Sequence, residues 1–152
     1  MLSTSREHLL PLHKATIRPL MEYCCHLWAG APKTHLQLLD HVEKYAKNLM
    51  GQQLANKLLP LSVRRDVASL SLFYRYYFGK CSSALGEIVP KPKVFSRNTR
   101  RANPLTCYHV NIERTRSQGR SLSFLVRTGH LWNQLPSYCF PAQYNLILSR
   151  GE

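Results

Sequence analysis

Apolar residues recur at steps of three and four between Leu10 and Phe78, and that period restricts most of this stretch to amphipathic helix. Three stripes are separable. Leu10, His13, Ile17, Leu20, Met21, Cys24, Leu27 and Trp28 form the first. It follows Thr4-Ser5-Arg6-Glu7, where a hydroxyl and a carboxylate three residues on match a capping box. Pro11 and Pro19 fall inside it. Each lacks an amide donor and crowds the preceding turn, so the spacing predicts a kink or break there. Ala29-Gly30-Ala31-Pro32 closes the element, and Pro32 suits the first turn of the next. Leu36, Leu39, Val42, Ala46, Leu49 and Met50 form the second stripe, with Gly51 as its C-terminal cap. Val63, Val67, Leu70, Phe73, Tyr74, Tyr77 and Phe78 form the third, ending at Gly79. A short helix over 83–89 is expected next.

Composition shifts at Pro90. Nine cations (Lys91, Lys93, Arg97, Arg100, Arg101, Arg114, Arg116, Arg120 and Arg127) face a single acid, Glu113, between positions 91 and 127. Few apolar residues interrupt 91–104, which reads as an exposed basic linker. Residues 106–112 and 121–126 have strand-like composition around Gln118-Gly119, predicting a short β-hairpin. A short helix over 128–135 then stops at Pro136. The expected fold is mainly α: three longer helices in a small bundle, a basic linker, a short β-hairpin and a short terminal helix. The expected divisions are a helical region at 1–90, the linker at 91–104, a hairpin-plus-helix subregion packed on the helices at 105–140, and a tail at 141–152.

The chain has 44% hydrophobic residues, enough to collapse into a core. Its charge is the stronger signal: 21 Lys plus Arg against 8 Asp plus Glu, a net +13. A polyanion is the natural partner, because each cation near a phosphate releases condensed counterions without reading sequence. A merely solvated basic surface is the alternative. No long uncharged apolar run is present, so no membrane partner is expected. The 5 cysteines are odd in number and irregularly spaced, and the first residues lack the apolar core of a secretion signal. An intracellular protein, nuclear or cytoplasmic and not secreted, is the resulting expectation.

The residues offer little catalytic chemistry. Two-metal phosphoryl transfer needs clustered carboxylates, and the only aspartates, Asp40 and Asp66, are far apart in sequence. Gly79 and Gly86 have no companions that would make a phosphate loop. Cys24-Cys25-His26 and Cys107-Tyr108-His109 suggest zinc at first sight, but adjacent helical cysteines diverge by about 100°. Neither a metal, nor a cofactor, nor a Cys/His nucleophile pair is expected. The run Phe73-Tyr74-Arg75-Tyr76-Tyr77-Phe78 supports two readings. Its rings could stack unpaired bases, or could face the core at helical spacing, leaving Arg75 and Tyr76 outside. Arg64-Arg65-Asp66 reads as a helix-start charge cluster, and Trp132 as a structural anchor rather than a ligand platform.

Several blocks also carry a family resemblance. The segment from Ile17-Arg18-Pro19-Leu20-Met21-Glu22-Tyr23-Cys24-Cys25-His26 through Leu27-Trp28-Ala29-Gly30-Ala31-Pro32 resembles one near the C-terminus of reverse transcriptases of non-long-terminal-repeat (LINE-type, jockey-like) retrotransposons. Leu39-Asp40 through Gly51 resembles the family's following helix, and the segment from Arg64 to Ser82 the next. Phe124, Arg127 and Leu131-Trp132-Asn133-Gln134-Leu135-Pro136 are similar to its closing Phe, Arg and Trp-Asn-x-Leu-Pro pattern, extended by Phe140-Pro141 and Tyr144-Asn145-Leu146. The ordered blocks cover nearly the whole chain. The resemblance implies RNA-directed DNA polymerase parentage. The family's catalytic aspartates lie in an upstream palm domain that no position here matches. It therefore implies a non-catalytic C-terminal fragment that contacts RNA or DNA and the parent's upstream polymerase domains. The alternative is a structural or interaction piece, or a truncated pseudogene product, without independent activity. Two departures point to a truncated element copy or a gene-model fragment: Met1 falls where the family's chain is already well advanced, and residues 147–152 replace its expected helical continuation.

Overall fold

The computed structural model describes residues 8–82, 87–90 and 108–140. It is mainly helical, and the chain divides into two compact units, Met1–Asp66 and Val67–Glu152. The capping box at Thr4, most of the short helix expected over 83–89, the linker at 91–104 and the tail at 141–152 lie outside the described residues. Glu87–Val89 form turns and a bend.

In the first unit, α1 (Leu9–Leu12) runs into a π-helical stretch, His13–Ile17, and on into α2 (Arg18–Glu22). The chain does not break at either proline, but the α-helix is interrupted between them by the π-helical stretch. Pro11 occupies the opening turn, where its missing amide has no partner to lose. Pro19 follows the π-helical stretch, whose wider i→i+5 spacing relieves the clash of the ring with the preceding turn. The chain instead breaks at Tyr23 and Cys24, which takes a left-handed φ of 49°. The Tyr23 carbonyl freed by this break accepts a 2.8 Å bond from the Trp28 indole of α3 (Cys25–Trp28). Then come α4 (Lys33–Met50) and the short α5 (Gln52–Ala55). Between them stands Gly51 at φ 85°, a backbone angle that favours glycine, donating its amide to the Lys47 carbonyl at 3.1 Å.

The second long helix, α6 (Leu61–Tyr77), contains the boundary between the units. It ends in a Schellman arrangement: Gly79, at φ 66°, donates to the Tyr76 carbonyl at 3.0 Å, and Lys80 donates to the Arg75 carbonyl at 2.9 Å. Its buried row differs from the apolar stripe. Leu61, Arg65, Ser69 and Phe73 are buried, while Val63 and Val67 are exposed.

The predicted β-hairpin is absent among the described residues. Residues 118–121 form a helical turn, α7 (Gln118–Ser121), and α8 (Phe124–Gln134) follows. The Ser117 hydroxyl accepts from the Arg120 amide at 3.3 Å, a helix N-cap that commits Gln118-Gly119 to a helical turn. Phe124, Leu125, Thr128 and Trp132 then continue with helical spacing, starting α8 ahead of its expected position at 128.

Trp132 organises the second unit's core. Its indole, 2% exposed, lies 5.1 Å from the Phe73 ring, 5.1 Å from Tyr77 and 4.9 Å from Phe140. The indole N–H donates to the Tyr108 carbonyl at 2.8 Å. Next to it, Asn133 accepts from the Val110 amide at 3.0 Å and donates to the Val110 carbonyl at 3.1 Å. The consecutive pair thus satisfies three backbone groups of residues 108–110. Gly129 lets this segment come close, since a Cβ there would meet Ile112 at 3.2 Å. Replacing Asn133 with Ala strands both polar groups of Val110 and is expected to cost roughly 2–3 kcal/mol. Urea denaturation of the N133A chain measures it, and an unchanged midpoint would show that the pairing contributes nothing.

Candidate nucleic-acid interface

Four of the nine cations predicted as phosphate contacts are described: Arg114, Arg116, Arg120 and Arg127. Lys91, Lys93, Arg97, Arg100 and Arg101 lie outside the described residues. Arg114 and Arg116 are exposed on the segment leading into α7. Arg120 is also exposed and reaches Glu113 at 2.8 Å, with side-chain exposures of 66% and 76%. A pair so wet is worth at most about 1 kcal/mol, so Arg120 can exchange that carboxylate for a phosphate. Arg127 is different: it is half-buried and donates to the hydroxyl of the fully buried Ser69 at 3.0 Å. The geometry therefore groups three arginines at the surface and turns the fourth inward, a distinction that charge counting does not make.

Among the described residues, Glu22, Asp40, Glu43 and Glu113 each have a Lys or Arg partner. Glu22 accepts from Arg64 through both carboxylate oxygens, with Arg64 Nη2 at 2.7 Å, and pairs with Arg18 at 3.2 Å. Asp40 accepts from the buried Arg65 at 3.2 Å, and the Arg65 guanidinium also lies 5.9 Å from the Trp28 ring centroid. Glu43 takes Lys47 at 3.0 Å and the Leu61 amide at 3.1 Å. Arg64 and Arg65 are therefore more than the helix-start charge cluster expected from sequence, because each reaches an acid on a distant element. Glu22 and Asp40 are the two acids that take a partly buried arginine.

His13 was read as one position of an apolar stripe. It is buried, and neither ring nitrogen makes a hydrogen bond. It borders a cavity of about 20 Å³ with Arg18, Met21, Glu22, Glu43, Leu61 and Arg64, room for about one water. Burial lowers the His13 pKa below its ordinary 6.5; Glu43 opposes this, and Arg18 and Lys47 reinforce it. Burial also pushes the Glu22 carboxyl up, against the pull of Arg18.

Neither reading of the aromatic run holds for every ring. Phe73 and Tyr74 are buried and Arg75 is exposed, while Tyr76 is half-buried and meets Phe124 edge-on at 6.0 Å. Tyr76 therefore does not stand outside the core as expected. Cys25 is buried, and burial pushes the Cys81 thiol up, away from the reactive thiolate. Among the described residues no group of three His, Cys, Asp or Glu could hold a metal ion. None of their helices is long and apolar enough to cross a membrane. No protein-family model, curated protein or solved structure matches the chain.

The His13 environment has a pH consequence. The unfolded chain keeps the His13 proton at pH values where the folded protein has released it, so stability falls as pH drops through about 6.5. Thermal midpoints compared at about pH 7.5 and 5.5 should decline, and His13→Leu should flatten the decline. Equal slopes for the two proteins would contradict this assignment.

Proposed function

We propose that this chain is a non-catalytic C-terminal region of a retrotransposon RNA-directed DNA polymerase that supports RNA or DNA binding by the parent enzyme. One observation carries the binding role. Glu22, Asp40, Glu43 and Glu113 each have a Lys or Arg partner, and three of these four acids are partly screened from solvent by their neighbours. A chain of net +13, four of whose 8 acids are so engaged, presents a surface field dominated by its exposed cations. Arg114, Arg116 and Arg120 supply phosphate contacts, with Lys91, Lys93, Arg97, Arg100 and Arg101 preceding them in sequence.

The ordered sequence blocks support the parentage, and the roles of Trp132 and Asn133 give the closing Trp-Asn pattern a structural purpose. Nuclear or cytoplasmic residence accords with this reading. The polymerase domains of the parent are the second partner. Catalysis belongs to that parent, so metal-dependent nucleotide incorporation by these 152 residues alone would overturn the assignment.

Binding of a duplex oligonucleotide, titrated at several salt concentrations, tests the interface. Each neutralised phosphate adds about 0.9 to the slope of log affinity against log salt, so R114Q/R116Q should lower that slope by about 1.8. Binding that ignores salt, or a double variant with the parent slope, would contradict the proposal.

A further inference from the structure

The second unit has a cavity that Trp132 and its aromatic neighbours do not line. It measures about 490 Å³, within the roughly 300–1,000 Å³ of sites that take a small molecule. Its apolar wall is made by Ile88, Ile112, Leu125 and Val126. Ile88 is 59% exposed and the other three are half-buried, so a guest removes apolar surface from water. A few polar groups share the lining. Ser123 stands at the N-cap of α8, where a serine ordinarily caps with its hydroxyl, yet this hydroxyl makes no capping bond. Exposed Asn111 offers both donors and an acceptor, and exposed Glu87 offers acceptors alone. The solvent-exposed Arg120–Glu113 pair belongs to the same lining.

Arg120 selects the occupant. It is one of the exposed arginines assigned to phosphate, and Arg114 and Arg116 follow Glu113 in the chain. The guest that suits this lining has a phosphate, an apolar body and a hydrogen-bonding edge. An acyl chain would cover Asn111, Ser123 and Glu87 without hydrogen bonds. A nucleotide has all three features, and the amino groups of adenine, cytosine and guanine donate to an acceptor such as Glu87. Inside a duplex, however, the base is stacked and its pairing edge is taken. We infer, resting on the phosphate role of these arginines, that the cavity receives one unpaired nucleobase of a strand whose phosphates they contact. The polyanion that this chain selects is then single-stranded.

The test uses the full chain with a short unstructured DNA strand, an abasic strand of the same length, and the duplex of the first strand. Fluorescence anisotropy should show the base-bearing strand binding at least about tenfold more tightly than the abasic one, although their phosphates are equal in number. That comparison needs no variant. I88Q/S123A alters two exposed positions without changing charge, so the circular dichroism spectrum should stay intact. It should weaken the base-bearing strand at least about fivefold and leave the abasic and duplex affinities unchanged. Equal affinity of the base-bearing and abasic strands, or a base-bearing strand unaffected by I88Q/S123A, overturns the inference; if both strands still bind with a salt dependence, the phosphate interface stands. Binding of either strand that ignores salt overturns both. Phosphatidylserine vesicles or an apolar peptide bound by the chain and released by I88Q/S123A, with the two strands binding alike, assign the cavity to those occupants and equally overturn it.

Discussion

Glu22 accepts from Arg64 through both oxygens and also pairs with Arg18, and the first unit depends on economies of this kind. With 8 acids for 21 Lys and Arg, any cation drawn inward must find one of very few partners. Arg65 is 5% exposed and has Asp40, while Glu43 holds both Lys47 and the first amide of α6. A buried charge without such a partner costs several kcal/mol, so these pairs are conditions of the fold more than additions to its stability. The same pairing leaves the solvent-facing cations with little to neutralise them. Fold and surface field thus follow from one shortage.

In the second unit the corresponding constraint is backbone satisfaction. Residues 108–112 have no neighbouring strand among the described residues to take their polar groups. Trp132 and Asn133 take that place from the last turns of α8, one indole N–H and one carboxamide serving Tyr108 and Val110. The aromatic rings of α6 then close over the indole. Arg127 reaches Ser69 at 3.0 Å from the same helix, linking α8 to α6 by a polar contact beside the aromatic one.

What the sequence made legible was whatever one period could decide. The 18-residue α4, its stop at Gly51, and the end of α6 at Gly79 follow from stripes and from the angles glycine tolerates. The register of α6 did not follow, because Arg65 and Ser69 sit in its buried row and are compensated by Asp40 and Arg127 from distant positions. The hairpin expected from 106–112 and 121–126 does not form in the described part because a short apolar run such as Phe124-Leu125-Val126 fits both periods, and the Ser117 cap favours the helical one. Among the candidate site residues, charge identified Arg114, Arg116 and Arg120 as readily as Arg127. Only burial separates the last from the others, and burial depends on Ser69, far away in sequence.

That separation between engaged and available cations is the central claim, and arginine side-chain NMR tests it most directly. With the Nε–Hε groups resolved, a short oligonucleotide is added stepwise to the full chain. The Arg114 and Arg116 resonances should move, while those of Arg64 and Arg65, held by Glu22 and Asp40, should stay in place. Equal movement of all four, or a shift confined to Arg64 and Arg65, would contradict it.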